Sequence, residues 1–237
     1  MKKVIMLALV ILLLVSVLAS AKESKDPILE KVTFIHYKKG FDKNGKIDFA
    51  ATTSTATTTT STCYKLMGVK WPSLPVRYVI NPVNNEGLST NFVTSVISKS
   101  AETWDAATTK ELFNNNYLID KTAKFGVQNY KNTISFGSYS NKSIIAVTTI
   151  WYTRTTKQIV EFDMLFNSYF NWGNASSNRN LMDLQNIATH EFGHSIGLAD
   201  LYNTCTKETM YAYSDEGDLI KRTLNPGDIA GLRSIYG

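Results

Sequence analysis

One short run in the C-terminal part of the chain constrains the fold more than any other feature. The run reads Ala188-Thr189-His190-Glu191-Phe192-Gly193-His194-Ser195-Ile196-Gly197-Leu198-Ala199-Asp200. His190 and His194 are four residues apart, so on a helix both imidazoles project from one face, one turn apart. Gly197 can adopt a positive φ, end the helix and turn the chain back. We therefore predict a helix from about Leu181 to Ile196, followed by a turn that brings Asp200 below the two imidazoles.

This spacing suits two nitrogen ligands on one zinc ion, which imidazole binds at about 2 Å. Glu191 follows the first histidine, and its carboxylate can reach a water on the metal without being a ligand itself. Asp200 is the candidate third ligand, although an aspartate after a helix can also bond backbone amides in a turn. Because the chain has just one other histidine, His36, far upstream, an acidic third ligand is favoured. The alternative for the histidine pair is a helix surface with two solvated imidazoles.

Three protein ligands leave a fourth position on zinc for water. The metal lowers the pKa of that water and polarises a carbonyl oxygen. Glu191 can accept the proton of the water and pass it to the leaving amine. The predicted activity is that of a zinc-dependent endopeptidase, acting on protein or peptide substrates. Two alternatives stay open: a non-catalytic, zinc-stabilised binding domain at the cell surface, and a hydrolase that acts on something other than peptides.

Composition limits the other sites that the chain can build. Its 237 residues include three histidines and two cysteines, which excludes four-cysteine zinc ribbons and iron–sulfur clusters. The net charge of +5 comes without a dense basic run, so we predict no nucleic-acid partner. With 43% apolar and 19% charged residues, the chain can form a folded core. We expect a monomer.

The first 21 residues are typical of an export signal. Lys2 and Lys3 precede an apolar stretch from Val4 to Leu18, and Ala19-Ser20-Ala21 offers a small-x-small cleavage site. The stretch is shorter than the roughly 20 residues that span a bilayer. We predict a signal peptide over residues 1–21 and a secreted, extracellular protein. The alternative is an uncleaved N-terminal membrane anchor.

Export changes the expectation for the two cysteines. In an oxidising compartment two cysteines most often form one disulfide. Cys63 and Cys205 are therefore predicted to pair, which would tie the start of the main domain to the region after the candidate metal site. The alternative is that Cys63 is a thiolate that caps the metal until an N-terminal segment is removed.

A linker divides the rest of the chain. Residues 52–62 are nearly all threonine and serine and show no periodicity, which is typical of a linker. We therefore predict a leader and linker over residues 22–62, a candidate pro-segment, and one compact domain from Cys63 to Gly237. The leader contains a predicted strand, Val32–Tyr37, and no sequence feature assigns a role to His36 within it.

Hydrophobic periodicity predicts mixed α and β structure in the main domain. Apolar residues at three- and four-residue spacing predict a helix capped near Ser89 or Thr90 and running through Trp104. A proline suited to a first helical turn predicts a short C-terminal helix beginning at Asn225 and Pro226. Strands are predicted over residues 76–80, 133–136, 144–152 and 158–166, the last two adjacent.

The run from His190 to Asp200 resembles the metzincin zinc-peptidase signature, in the variant with aspartate as the third ligand. Glu208-Thr209-Met210-Tyr211 resembles the Met-turn of that group, which implies that Met210 packs beneath the metal and is not a ligand. Residues 224–237 and 70–80 are similar to the closing and opening segments of matrixins. The resemblance spans nearly all of the main domain and is to secreted matrixin-like peptidases of archaeal or bacterial type.

The resemblance implies an α+β, zincin-like fold: a twisted mixed five-stranded sheet, two long helices above an active-site cleft, and a small C-terminal subdomain with one helix. It implies a substrate that extends the sheet by main-chain hydrogen bonds, with residues 144–151 as the expected edge. One zinc ion is expected, because no histidines remain for the second, structural zinc of animal matrixins. Calcium is common in relatives, and Asp163 and Asp183 are the candidate ligands. The surroundings of Cys63 do not match the family's latency motif.

Overall fold

The computed structural model describes residues 27–41, 63–202 and 205–237. The expected signal peptide, residues 1–21, and the threonine-rich linker, residues 52–62, lie outside these ranges. In the part of the chain that is described, no helix has both the length and the apolar character needed to cross a membrane.

A mixed, seven-stranded sheet forms the centre of the molecule. Its strands are β1 (Leu29–Lys38), β2 (Val79–Ile80), β3 (Leu118–Ile119), β4 (Thr133–Gly137), β5 (Ile144–Thr153), β6 (Ile159–Asn167) and β9 (Tyr213–Ser214), while β7 (Trp172–Gly173) and β8 (Met182–Asp183) form a separate pair. The order across the sheet is β3-β2-β4-β6-β5-β1-β9. Strands β3, β2, β4 and β6 are parallel to one another, whereas β5 is antiparallel to both β6 and β1.

Three α-helices accompany the sheet: α1 (Thr90–Asp105), α2 (Leu184–Ser195) and α3 (Pro226–Tyr236). Helices α1 and α2 begin after Ser89 and Asp183, whose side chains each accept a hydrogen bond from the backbone N–H three residues on, as N-cap residues do. Helix α3 begins after Asn225, which forms a capping box with Asp228. Helix α2 starts later than predicted because Asp183 caps it, so Leu181 precedes the helix.

The core lies between the sheet and the two longer helices. The indole N–H of Trp104 on α1 donates to the carbonyl of Thr189 on α2 at 2.7 Å. Phe192 on α2 meets Phe113 edge to face, with ring centroids 4.7 Å apart. Burial of each such aromatic side chain contributes roughly 1.5–3 kcal/mol. Every residue of α2 is buried, so the helix that carries both histidines is enclosed and held in place.

The α+β fold is confirmed, but the mixed sheet has seven strands where five were expected. The strands predicted in the main domain are β2, β4, β5 and β6, and β5 and β6 are adjacent as expected. Strands β3 and β9, of two residues each, were not predicted from the sequence. Strand β2 is shorter than predicted, because Val76 forms just an isolated bridge with Phe113 while Val79 and Ile80 pair on both sides.

The leader strand covers the expected substrate edge. Strand β1 pairs antiparallel with β5 from Leu29 opposite Thr153 to Tyr37 opposite Ile144, and it pairs in parallel with β9 at Tyr37 and Lys38. The predicted strand in the leader is therefore confirmed. The expectation that residues 144–151 form the edge of the sheet was wrong, because β1 occupies the open side of β5.

Cys63 and Cys205 form a disulfide across 142 positions of sequence. The bond joins the start of the main domain to the loop that follows α2. Because the sulfur of Cys63 is bonded to that of Cys205, it is not available as a thiolate that caps the metal, and that alternative is set aside.

Candidate active site

Helix α2 and the turn after it bring the three expected ligands together. His190 and His194 lie on one face of α2, and Gly197 ends the helix with φ +101°. The N–H of Gly197 donates to the carbonyl of His194 at 2.9 Å. A Cβ on Gly197 would lie 2.5 Å from the carbonyl oxygen of Val69. Both the backbone conformation and the available space therefore require glycine, and the chain returns to place Asp200 against the histidines.

The three candidate ligand atoms face one another at short range. Nε2 of His190 and Nε2 of His194 are 3.1 Å apart. Oδ1 of Asp200 lies 3.2 Å from the first and 3.4 Å from the second. Atoms bound at about 2.0–2.1 Å to a tetrahedral zinc are about 3.3–3.4 Å from each other. The observed spacing therefore fits one zinc ion.

Hydrogen bonds on the far side of each side chain orient the three groups. Nδ1 of His190 lies 2.7 Å from the carbonyl of Thr209, and Nδ1 of His194 lies 2.9 Å from the carbonyl of Leu198. A carbonyl can only accept, so each Nδ1 carries a hydrogen and each neutral imidazole presents a lone pair at Nε2.

Asp200 completes this set of acceptors. The hydroxyl of Tyr202 donates to its Oδ2 at 3.1 Å, whereas the buried Oδ1 has no hydrogen-bond partner. Acceptor atoms that converge in a buried site are unfavourable unless a cation lies between them. The donor set of His190, His194 and Asp200 therefore fits a metal ion.

The pKa values of these groups follow from burial and from their mutual charges. Burial, with the nearby charge of Lys221, lowers the pKa of His190 to about 3. Burial also acts to lower the pKa of His194, but the charge of Asp200 outweighs it and the pKa is raised. The two histidines hold the pKa of the Asp200 carboxyl well below its usual range, against the effect of burial. A proton and a metal ion therefore compete for the same place.

Glu191 lies beside this group of ligands. The hydroxyl of Thr148 donates to its Oε2 at 2.5 Å, and Nδ1 of His36 lies 3.3 Å from its Oε1. The side chain is fully buried, and burial raises the pKa of Glu191 to about 7. A carboxyl group with a pKa near neutrality, beside a metal site, is suited to proton transfer.

Met210 lies directly beneath helix α2. It is buried, and a Cβ on Gly193 would collide with its sulfur. The turn that carries it is held by Asp228, which accepts from the N–H of Thr209 at 2.7 Å and from that of Met210 at 3.1 Å. Since Nδ1 of His190 bonds to the carbonyl of Thr209, helix α3 supports His190 through this turn. The capping-box spacing of Asn225 and Asp228 marks Asp228 in the sequence, but not its contact with the turn.

The structure also brings His36 into the site. Its Nε2 lies 3.0 Å from Oγ of Ser214 and 3.1 Å from Nζ of Lys221, and its ring packs edge-on against that of His190 with centroids 4.0 Å apart. The ligand-capable atoms of His36, His190 and Glu191 lie within 4.8 Å of one another, and those of the expected metal ligands form a second group. No local sequence signal marks His36, Ser214 or Lys221. Pairing of β1 with β9 brings His36 beside Ser214, and a short 3-10 helix, Ile220–Arg222, carries Lys221.

The two aspartates suggested for calcium have protein partners. Asp163 accepts from the backbone N–H groups of Gly126 at 2.7 Å and Thr133 at 3.0 Å. Asp183 forms an ion pair with Arg222 and caps α2. Their carboxylates therefore hold the fold together, and the calcium expectation finds no support at these positions.

Comparison with known proteins assigns this chain to a protein family. Residues 70–237 match the family model of the matrixins. A stretch of 55 residues is 44% identical to the hatching enzyme of Paracentrotus lividus, covering 23% of this chain and 9% of that protein. The chain thus matches less than a tenth of that relative's length. The family match takes in the greater part of the chain, including His190, His194, Asp200 and Met210, so this chain belongs to the matrixins, a family of zinc-dependent endopeptidases.

Proposed function

We propose that this protein is a secreted zinc endopeptidase, in which His190, His194 and Asp200 hold one zinc ion and Glu191 is the general base. The observation that carries the proposal is the convergence of three buried acceptor atoms, 3.1 to 3.4 Å apart, beside a buried carboxyl group. Bound zinc supplies a Lewis acid that polarises the scissile carbonyl and acidifies a water. The substrates are proteins or peptides.

The residues around the zinc site have separate tasks in this mechanism. Glu191 accepts a proton from the attacking water and delivers it to the leaving amine. The hydroxyl of Thr148 donates to Oε2 of Glu191. Oε1 is then free for proton transfer when β1, with His36, has left the site. The main chain of β5 binds an extended substrate strand through the hydrogen-bonding groups that now pair with β1.

Residues 22–62 act, in this proposal, as a pro-segment that follows the signal peptide. Strand β1 fills the open side of β5, and His36 lies against Glu191. A peptide that extends β5 needs the same place, so β1 must leave before a substrate binds. Proteolysis of the linker, residues 52–62, would turn an intramolecular contact into one that dilution can break.

The test of the ligand set compares two substitutions of one residue. Asp200→Ala removes the only carboxylate of the three ligands, and we expect zinc affinity to fall by more than about 100-fold, beyond the loss typical of an outer-shell partner. Asp200→His keeps a ligand atom, so it should retain zinc more tightly than Asp200→Ala does. Competition of the purified full-length proteins with a chromogenic chelator measures both. If Asp200→Ala bound zinc as tightly as wild type, Asp200 would be a turn residue and not a ligand.

A further inference from the structure

The side chain of His36, on the leader strand β1, occupies a pocket next to Glu191. Strand β1 is antiparallel to β5 and parallel to β9. A substrate strand that extended β5 in this direction would bring one of its side chains to the place of His36. The side chain of His36 is fully buried there. A role for this pocket in substrate choice rests on the proposed peptidase function, in which a substrate residue replaces His36.

A hydrogen-bond donor, the Nζ group of Lys221, lies at the inner end of this pocket. Lys221 is itself buried, and its Nζ lies 3.1 Å from Nε2 of His36. An ammonium group only donates, so Nε2 of His36 accepts, and Nδ1 carries the hydrogen that faces Glu191. Burial keeps the pKa of His36 well below its usual value, in agreement with a neutral ring that spans from a donor to an acceptor. The hydroxyl of Ser214, 3.0 Å from Nε2, is a second polar group at this end.

Lys221 is fixed in position and is costly to leave without partners. Its backbone N–H donates to Oδ1 of Asn186 on α2 at 2.7 Å, and its Nζ donates to the carbonyl of Tyr211 as well as to His36. Burial lowers the pKa of Lys221 to about 7. Nζ of Lys221 carries N–H donors in its charged and in its neutral form, and a buried donor requires hydrogen-bond partners. Departure of β1 removes one of these partners. A substrate side chain that carries an acceptor restores it, whereas an apolar side chain does not.

The length of the side chain decides which residues reach Lys221. In histidine, Nε2 is four bonds from Cα, and the side-chain oxygens of glutamate and glutamine are at the same distance. Those of aspartate and asparagine are one bond shorter. We propose that Lys221 is a specificity-determining residue, which makes this pocket select histidine, glutamine or glutamate at the substrate position that replaces His36.

The test uses the full-length chain, folded with its leader and then cut at a protease site introduced within residues 52–62. Peptides with the leader sequence, varied just at the position of His36, serve as substrates and as fluorescent ligands. We expect kcat/KM and binding affinity to be at least about tenfold higher for histidine, glutamine or glutamate than for leucine or methionine, since a site built to hydrogen-bond a side chain rejects one that lacks the partner. Aspartate and asparagine should rank below glutamate and glutamine.

Substitution of the lysine provides the second arm. Lys221→Met should reverse the order in favour of leucine and methionine, while Lys99→Met, at an exposed position on α1, should leave it unchanged. An apolar preference in wild type, or an order that Lys221→Met does not alter, would overturn the proposal while the peptidase function stood. If wild type cleaved no peptide, the proposed function would fail, and the order of binding affinities would still decide the pocket. The peptide series on wild type needs no substituted protein, so misfolding of Lys221→Met does not remove the test.

Discussion

We expect Glu191→Gln to lower kcat by about 10²–10⁴-fold, the range for loss of a general acid–base group, while zinc stays bound. Glutamine has nearly the same shape as glutamate, and its amide oxygen can still accept the hydrogen bond from Thr148. It cannot take a proton from water. The measurement is steady-state hydrolysis of casein and of a fluorogenic peptide by the linker-cut protein, with zinc content determined on the same sample.

A matched control for this variant is a second buried glutamate outside the site. Glu161 is fully buried and accepts hydrogen bonds from the backbone of Asn129 and Tyr130. Glu161→Gln should affect stability and leave kcat of the folded fraction within about threefold, since Glu161 takes no part in proton transfer. An undiminished kcat in Glu191→Gln would contradict the assigned role of Glu191. Loss of zinc in that variant would instead indicate that Glu191 maintains the metal site.

Cutting the linker is expected to raise peptidase activity by about 10²–10³-fold. A tethered segment has an effective concentration on the order of millimolar. If β1 binds the substrate groove beside β5 with micromolar affinity, the covered form therefore outnumbers the open form by about a thousand to one. The cut chain, after dilution and removal of the leader peptide, has an open groove. Activity of the full-length and cut proteins gives the ratio, and N-terminal sequencing of the exported protein shows whether cleavage occurs near residues 21 and 62 naturally.

Single substitutions in β1 separate the role of its side chains from that of its backbone. His36→Ala removes the contacts with Glu191, Ser214 and Lys221 and should partly activate the uncut chain. Lys31→Ala, at an exposed position on the same strand, should not. Equal activity of uncut and cut wild type would mean that β1 does not cover the groove in solution.

The grouping of the three proposed metal ligands could be predicted because the signals are local. His190 and His194 are one helical turn apart, and Gly197 must end the helix, so the position of Asp200 follows within a few residues. The caps at Ser89 and Asn225 are local in the same sense. These features need no knowledge of distant parts of the chain.

The pairing of β1 with β5 and the place of His36 beside Glu191 could not be predicted, because these contacts are not local. His36 contacts Glu191 across 155 positions and Lys221 across 185. A period-two pattern identifies β1 and β5 as strands but does not say which strands pair. The expected edge at residues 144–151 was wrong for this reason, and His36 had no visible partner in the sequence.

The most direct test of the zinc site follows zinc content and peptide hydrolysis together on the linker-cut protein, before chelation, after chelation, and after zinc is returned. We expect one zinc per chain, loss of hydrolysis when the metal is removed, and recovery with one equivalent of zinc. Hydrolysis that persists without metal would contradict the zinc mechanism. A full equivalent of zinc with no hydrolysis of any protein or peptide would instead identify a zinc-stabilised binding domain.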